Sequence, residues 1–271
     1  MPELPEVETT IRGLKSIVDS KIINIKINTS KLRYFIPKSI LLINSVRITT
    51  IKRKGKFIIF YLQNEHSIVF HLGMSGRLRL YKKLDLKNNL HDHFVLETNN
   101  KRFLVFNDPR RFGFIDYDLY KIINSRNYLT SLGGDALSSS LDGPYLFFKI
   151  SKSIVPIKQI LLNQTIISGI GNIYASEILF NAKISPLKRG KDLKLNNCNI
   201  ICKSSRKILK KAINSGGSTL RDFVATDGTL GSFQNNFKVY NREGKKISGK
   251  IVKKIIQYGR STYFCPLIQK K

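Results

Sequence analysis

Lys56-Phe57-Ile58-Ile59-Phe60-Tyr61-Leu62 and Ser67-Ile68-Val69-Phe70-His71-Leu72 are short runs of β-branched and aromatic residues on either side of the polar Gln63-Asn64-Glu65-His66. Each is too short and too dense in Ile, Val and Phe for an amphipathic helix, so both read as strands. The same texture extends outward to Ile23-Ile25-Ile27, to Leu78 and Leu80 beside arginines, to His93–Thr98 and to Arg102–Phe106. So many strands between Lys21 and Tyr117 predict a two-layer β-sandwich. Ahead of it, Val7, Ile11, Leu14 and Val18 recur at helical spacing after Pro5. Glu6 and Glu8 fall in the first turn, where the helix dipole favours negative charge.

Downstream, the Gly-, Ser- and Asp-rich segment from Gly133-Gly134 to Gly143-Pro144 marks a boundary. Helices follow over Tyr145–Ser151, Pro156–Asn163, Asn172–Asn181 and Asn196–Asn214, with a further turn after Gly216-Gly217-Ser218. From Phe237 to Lys271 the pattern returns to alternation around Ser248-Gly249, which suggests a hairpin. The fold class expected is α+β: a β-sandwich flanked by helices over 1–132, a linker and lead-in helix over 133–150, a helical region over 151–234 and a C-terminal hairpin over 235–271.

Lys and Arg number 47 against 18 Asp and Glu, a formal net charge of +29. That excess favours a polyanionic partner, nucleic acid ahead of anionic membrane. An Ile-, Asn- and Lys-rich composition also follows from an AT-rich genome, so charge alone does not settle the partner. The chain opens with acids where a signal peptide carries basic residues, and no apolar run approaches the roughly 18 residues that span a bilayer. A cytosolic protein is expected. Cys198 and Cys202 lie one helical turn apart and Cys265 stands alone, a pattern of reduced thiols rather than a disulfide framework.

Pro2 follows the initiator Met, and a small second residue allows that Met to be removed, leaving a secondary amine at the chain end. An α-amino group has a pKa near 8, so an appreciable fraction is unprotonated at neutral pH and serves as a nucleophile without special burial. Glu3 is then placed as general acid or base, with Glu6 in support. Taken alone, Pro2-Glu3 is more simply the lead-in and first turn of a helix.

The opening Met1-Pro2-Glu3-Leu4-Pro5-Glu6-Val7-Glu8-Thr9 resembles the start of formamidopyrimidine-DNA glycosylases, bacterial enzymes that excise oxidised and ring-opened purines. The resemblance continues in order through Lys54-Gly55-Lys56, His71-Leu72-Gly73-Met74-Ser75-Gly76 and His91-Asp92-His93. It extends through Asp108-Pro109-Arg110-Arg111-Phe112-Gly113, Gly169-Ile170-Gly171-Asn172-Ile173-Tyr174-Ala175-Ser176-Glu177 and Gly259-Arg260-Ser261-Thr262-Tyr263-Phe264-Cys265. It implies a bifunctional glycosylase and abasic-site lyase acting on damaged double-stranded DNA, with 1–132 carrying catalysis and 151–234 forming a helix-two-turn-helix domain. Pro2 would attack C1′ of the sugar, and the resulting iminium would acidify the C2′ proton for elimination of the 3′ phosphate.

By the same resemblance Lys56 is a proton donor near the reacting nucleotide. His71 and His91 touch DNA, and Met74, Arg110 and Phe112 form the wedge that fills the hole left by an extruded nucleotide. Asn172 is expected to cap its helix and bind phosphate, with free N–H groups at the helix start. Lys158 helps hold the lesion; Ile154 stands where relatives carry a basic DNA contact, with Lys152 the candidate replacement. Thr226–Phe233 matches a loop that closes over the extruded base.

The tail departs from the family pattern. Many relatives end in a four-cysteine zinc finger, yet Asn241–Phe264 contains no Cys or His, and Ile268 stands at the last ligand position beside Cys265. One thiol cannot build a tetrahedral site. A finger with no metal is expected, held by hairpin hydrogen bonds and by packing of Ile247, Ile251, Ile255, Ile256 and Tyr263, leaving Arg260 for phosphates and for δ-elimination. No other cofactor is implied. Two further readings remain: a basic DNA-binding protein without catalysis, against which Pro2, Glu3 and Lys56 argue, and a glycosylase acting mainly on oxidised pyrimidines or bare abasic sites.

Overall fold

The computed structural model describes residues 2–83, 90–218, 226 and 230–270. The chain divides into two compact units, Met1–Thr130 with Ser215–Ser232, and Ser131–Asn214 with Phe233–Lys271. Thus the segment after the long helix belongs with the β-rich unit, and the C-terminal hairpin belongs with the helices. The turn expected after Ser218 and most of the Thr226–Phe233 loop lie outside the described residues.

The first unit opens with α1 (Leu4–Gly13) and continues through β1 (Lys21–Ile27), β2 (Val46–Lys54), β3 (Phe57–Leu62), β4 (His66–His71), β5 (Arg77–Tyr81), β6 (Asp92–Thr98), β7 (Phe103–Asn107) and β8 (Phe114–Leu119). Short α2 (Tyr120–Ser125) and α3 (Asn127–Thr130) close it. The strands form one sheet in the order β5-β7-β6-β1-β2-β3-β4-β8. β2 is the corner: Val46 and Arg47 pair with β1, while Ile48 to Lys54 pair with β3. Four strand steps separate β4 from β6, roughly 19 Å on a flat sheet. Yet the Phe70 ring of β4 lies 5.6 Å from Phe94 of β6 and 6.0 Å from Phe106 of β7. The sheet therefore folds over itself as a sandwich around a core shared by both halves, including Ile22, Phe60, Phe70, Phe94, Leu104 and Phe106. Val7 and Ile11 of α1 and Leu14 at its C-cap join this core as the periodicity predicts, but Val18 does not: α1 ends at Gly13 and the following 3-10 turn brings Ile17 to the core instead.

The second unit contains β9 (Gly134–Asp135), α4 (Gly143–Ile150), α5 (Ile157–Leu162), β10 (Ile167–Ser168), α6 (Asn172–Asn181) and α7 (Leu195–Asn214). It ends in β11 (Lys246–Ile247), β12 (Lys250–Ile251), β13 (Lys253–Gln257) and β14 (Arg260–Phe264). Ser248-Gly249 turns only the two-residue β11–β12 ribbon. The larger hairpin is β13–β14, turning at Tyr258-Gly259. Its interior also differs from the expected isoleucine cluster: Ile251 and Ile256 are exposed, and the core is Val239, Val252 and Tyr263 with Phe180, Tyr240 and Ile247 against it. Val239 and Tyr240 are not strand residues, so alternation could not find them. Among the described residues no helix is long and apolar enough to cross a membrane.

Phe70 is fully buried, whereas Phe148 on α4 is 80% exposed. Phe70→Ala is expected to cost about 3–5 kcal/mol and Phe148→Ala less than about 0.5 kcal/mol, measured by urea unfolding followed by circular dichroism.

Candidate active site

Pro2 is buried immediately ahead of α1, and Glu3 forms the N-cap. Glu3 and Glu6 make the reciprocal pairing of a capping box, in which the Glu3 N–H donates to Glu6 Oε2 at 2.9 Å. The other Glu6 oxygen accepts from the Ser218 N–H at 2.8 Å and the Ser218 hydroxyl at 2.9 Å. Glu6 thereby holds the start of α1 and the residue following the long helix. Further along α1, Glu8 Oε2 accepts from Arg53 Nε at 3.0 Å, and Arg53 Nη1 reaches the Gly55 carbonyl at 3.1 Å. Arg53 so ties the proline-bearing helix to the β2–β3 turn. Gly55 takes φ +58°, and Lys56 comes next, in the turn rather than in a strand and only 7% exposed.

Lys56 shares its surroundings with His71 at the end of β4. The imidazole stacks on Phe114 with ring centres 5.5 Å apart and lies against Phe57 at 4.9 Å. Its Nδ1 accepts from the Gly73 N–H at 3.1 Å, so the ring proton resides on Nε2. Burial, and then the positive charges of Lys56 and Arg33, pull the His71 pKa down to about 4. A neutral imidazole that keeps an N–H to donate, next to two cations, suits an anionic oxygen.

The residues expected to act as a wedge come from two loops built on one buried carboxylate. Met74 follows β4, and Arg110 and Phe112 follow β7; all three are exposed. The Arg110 guanidinium lies over the Phe112 ring, 4.7 Å from its centre. Beneath them Asp108 is fully buried. Its Oδ1 accepts from the Ser75 hydroxyl at 2.5 Å and the Arg110 N–H at 3.3 Å, and its Oδ2 from the Gly113 N–H at 2.8 Å. His91, also expected at DNA, is partly buried beside His93, and its carbonyl accepts from the Asp108 N–H at 3.0 Å. The sequence reads Asp108-Pro109 as a turn only, because its partners are far along the chain.

In the second unit Arg260 is exposed at the start of β14, next to the β13–β14 turn. Lys158 on α5 is fully buried and donates to the Ser261 carbonyl at 2.9 Å and to Thr262 Oγ1 at 2.7 Å. As placed, its ammonium anchors the strand that carries Arg260. Asn172 is the first residue of α6 and not its cap, which is Gly171; its side-chain amide donates to the same Ser261 carbonyl at 3.1 Å. Ile154 and Lys152 are both exposed. Sequence reasoning missed Glu177, a buried carboxylate on α6 that accepts from the N–H groups of Lys238, Val239 and Tyr240 at 2.8–2.9 Å. Burial pushes its pKa up, against the downward pull of those three donors. Of the loop beginning at Thr226, that residue is itself buried, bonding to the Thr10 carbonyl at 3.1 Å.

The depressed His71 pKa has a testable sign. Between the ordinary 6.5 and about 4 the unfolded chain takes up a proton that the folded chain refuses, so His71 makes acidification through this window destabilising. NMR titration of the ring is expected to give a midpoint near 4, and Lys56→Ala to move it upward by removing the second cause.

The model of the formamidopyrimidine-DNA glycosylase N-terminal domain matches residues 1–115, and that of the H2TH domain of the same proteins matches residues 132–224. The formamidopyrimidine-DNA glycosylase of Zymomonas mobilis is 41% identical over 274 residues, covering all of both chains. Among solved structures, a Lactococcus lactis mutant bound to Fapy-dG-containing DNA superposes with a TM-score of 0.91 at 34% identity, over all of both chains. The wild-type Lactococcus lactis protein bound to DNA containing an oxidised pyrimidine gives 0.89 at 34% identity, again over all of both chains. Two domain models matched in sequence order, with a relative this similar from end to end, mean that the chain belongs to the formamidopyrimidine-DNA glycosylase family.

Proposed function

We propose that this chain is a bifunctional DNA glycosylase and abasic-site lyase of base excision repair, working as a monomer in the bacterial cytoplasm, whose preferred substrates are oxidised purines. The observation that carries the reading is the Glu8–Arg53–Gly55 tether, which couples the helix that Pro2 and Glu3 lead into to the turn bearing Lys56. Once Met1 is removed, the Pro2 nitrogen attacks C1′ of the damaged nucleotide and the C1′–base bond breaks, the base leaving with a proton. Glu3 protonates the ring oxygen as the sugar opens, giving an iminium between Pro2 and C1′. Loss of the C2′ proton expels the 3′ phosphate, a second elimination expels the 5′ phosphate, and water then releases Pro2. Lys56 supplies and recovers protons in these eliminations, and His71 offers its Nε2–H to a phosphate oxygen. Arg260, steadied through Ser261 and Thr262, contributes a cation for the phosphates.

The four-cysteine zinc site common in relatives does not fit this chain. Cys198 and Cys202 are buried on α7, where desolvation pushes their pKa values up to about 11 and about 12, away from the thiolate a metal requires. The remaining thiol, Cys265, is buried beside Gln269, whose side-chain oxygen accepts the Cys265 N–H at 2.8 Å. Val239, Val252 and Tyr263 fill the hairpin interior. We therefore propose that no zinc is held; elemental analysis of purified protein should return far less than one zinc per chain, and a stoichiometric content would refute this.

Borohydride trapping on a duplex containing 8-oxoguanine tests the reaction. A covalent adduct of the chain lacking Met1, lost in Pro2→Gly, is the expected result, while tight binding without an adduct would indicate a non-catalytic DNA-binding protein. Lys56→Ala should slow strand cleavage by about 100-fold. A second reading, preference for oxidised pyrimidines, is favoured by the likeness to the Lactococcus lactis complex with such DNA. Excision rates on the two lesion classes in one assay decide between them.

A further inference from the structure

The reading above gives Met74, Arg110 and Phe112 a task in extruding the damaged nucleotide but none to the carboxylate beneath them. We propose, resting on that reading, that Asp108 is a positioning residue for base extrusion: it locks the Met74 loop to the Arg110–Phe112 loop, so the wedge enters the stack already assembled.

Three observations converge. First, Asp108 is fully buried and uses both carboxylate oxygens, Oδ1 toward Ser75 and Arg110 and Oδ2 toward Gly113, so one side chain bridges the two loops. Second, its own backbone is held from both sides. Its N–H donates to the His91 carbonyl at 3.0 Å, and its carbonyl lies 2.9 Å from His93 Nε2 and accepts the Arg111 N–H at 3.2 Å. Third, the loops touch through their backbones. Gly73 sits at φ +60°, and a Cβ there would fall 2.4 Å from the Phe112 carbonyl carbon and the Gly113 nitrogen. Arg111, between the two wedge residues, is held at φ +54°, a left-handed conformation unfavourable for a side chain of its size. That reversal of the chain is what returns the Gly113 N–H to Asp108.

The physical consequence concerns when ordering is completed. Inserting side chains into a base stack already costs the unstacking of a base step. Loops that also had to order at that moment would raise the same barrier further. With Asp108 in place Arg110 already lies over Phe112, and the loop that carries Met74 is tied to theirs through Ser75. The chemical identity matters: a carboxylate accepts on both oxygens, whereas an amide accepts on one and presents N–H to a donor on the other. Asp108→Asn therefore weakens the bridge: the charge-assisted bond from Ser75 is lost, its hydroxyl can only accept from the new amide, and the Arg110 N–H loses its carboxylate acceptor. Ser75→Ala removes the side chain through which Asp108 reaches the Met74 loop, and with it the acceptor that the hydroxyl offers the Arg110 N–H at 3.2 Å, while the Arg110 and Gly113 bonds of Asp108 stay in place.

A preformed abasic site has no base to unstack, so its cleavage depends far less on the wedge. In single-turnover assays Asp108→Asn is expected to slow excision of 8-oxoguanine about 30-fold while abasic-site cleavage stays within about threefold of wild type. Ser75→Ala should follow in the same direction by about three- to tenfold on the lesion, and carries the test if Asp108→Asn fails to fold by circular dichroism. A 2-aminopurine placed beside the lesion should lose the fast phase of its fluorescence rise in both variants. Parallel losses on both substrates, or no loss on the lesion, overturn the positioning role. A wild-type chain inert on both substrates sinks the proposed function itself, and this inference with it.

Discussion

A carboxylate taken out of water must find hydrogen-bond donors or stay protonated, and three buried carboxylates meet that demand with donors that tie separate stretches of chain together. Glu6 captures Ser218, 212 positions away; Asp108 captures Gly113 and the side chain of Ser75; Glu177 captures Lys238 to Tyr240. Each is at most 2% exposed. The first fixes the start of α1, two residues after Pro2, the second fixes the paired loops, and the third fixes the tail that leads into the hairpin. The candidate functional residues range from the buried Pro2, Glu3 and Lys56 to the exposed Met74, Arg110, Phe112 and Arg260, and several sit on segments whose course these acids help to determine.

Electrostatics in the first unit follow from the same frugality with water. His71 sits between aromatic rings and beside Lys56 and Arg33, so it stays neutral and offers a donor without adding repulsion to an already cationic pocket. Lys56 is held in a tight turn by Gly55 and Arg53, which limits the rotamers that a flexible ammonium would otherwise sample. In the second unit Lys158 makes the opposite use of a charge. Its ammonium is buried to grip Ser261 and Thr262, so the exposed cation beside it, Arg260, projects from a fixed strand.

The tail illustrates how side chains from distant segments can support a short hairpin. Metal binding would supply folding free energy to a short segment with little core. Here the equivalent support is an aromatic chain, with Tyr240 and Tyr263 5.1 Å apart and Phe237 and Tyr240 5.7 Å apart, together with the Glu177 anchor and the buried Gln269 side chain. These contacts cross between segments distant in sequence, which is why the alternation of the tail found Ile247 and Tyr263 but missed Val239, Tyr240 and Val252.

Local pattern by itself determined a good deal of this protein. The periodicity of α1, the limits of α6 at Asn172 and Asn181, the apolar runs that became β3 and β4, and the ordered motifs from Pro2 to Arg260 all depend on short-range physics or on residue identity. β2 and β8 escaped because Arg47, Lys52 and Arg53, or Asp116 and Asp118, break the apolar texture of strands whose outer faces meet water. Only the tertiary structure decided that Ser215–Ser232 joins the β-rich unit, that Lys158 is buried and that Asp108 unites two loops. Those outcomes are set by which donors reach a buried charge once the chain has folded, and sequence separation carries no information about that distance.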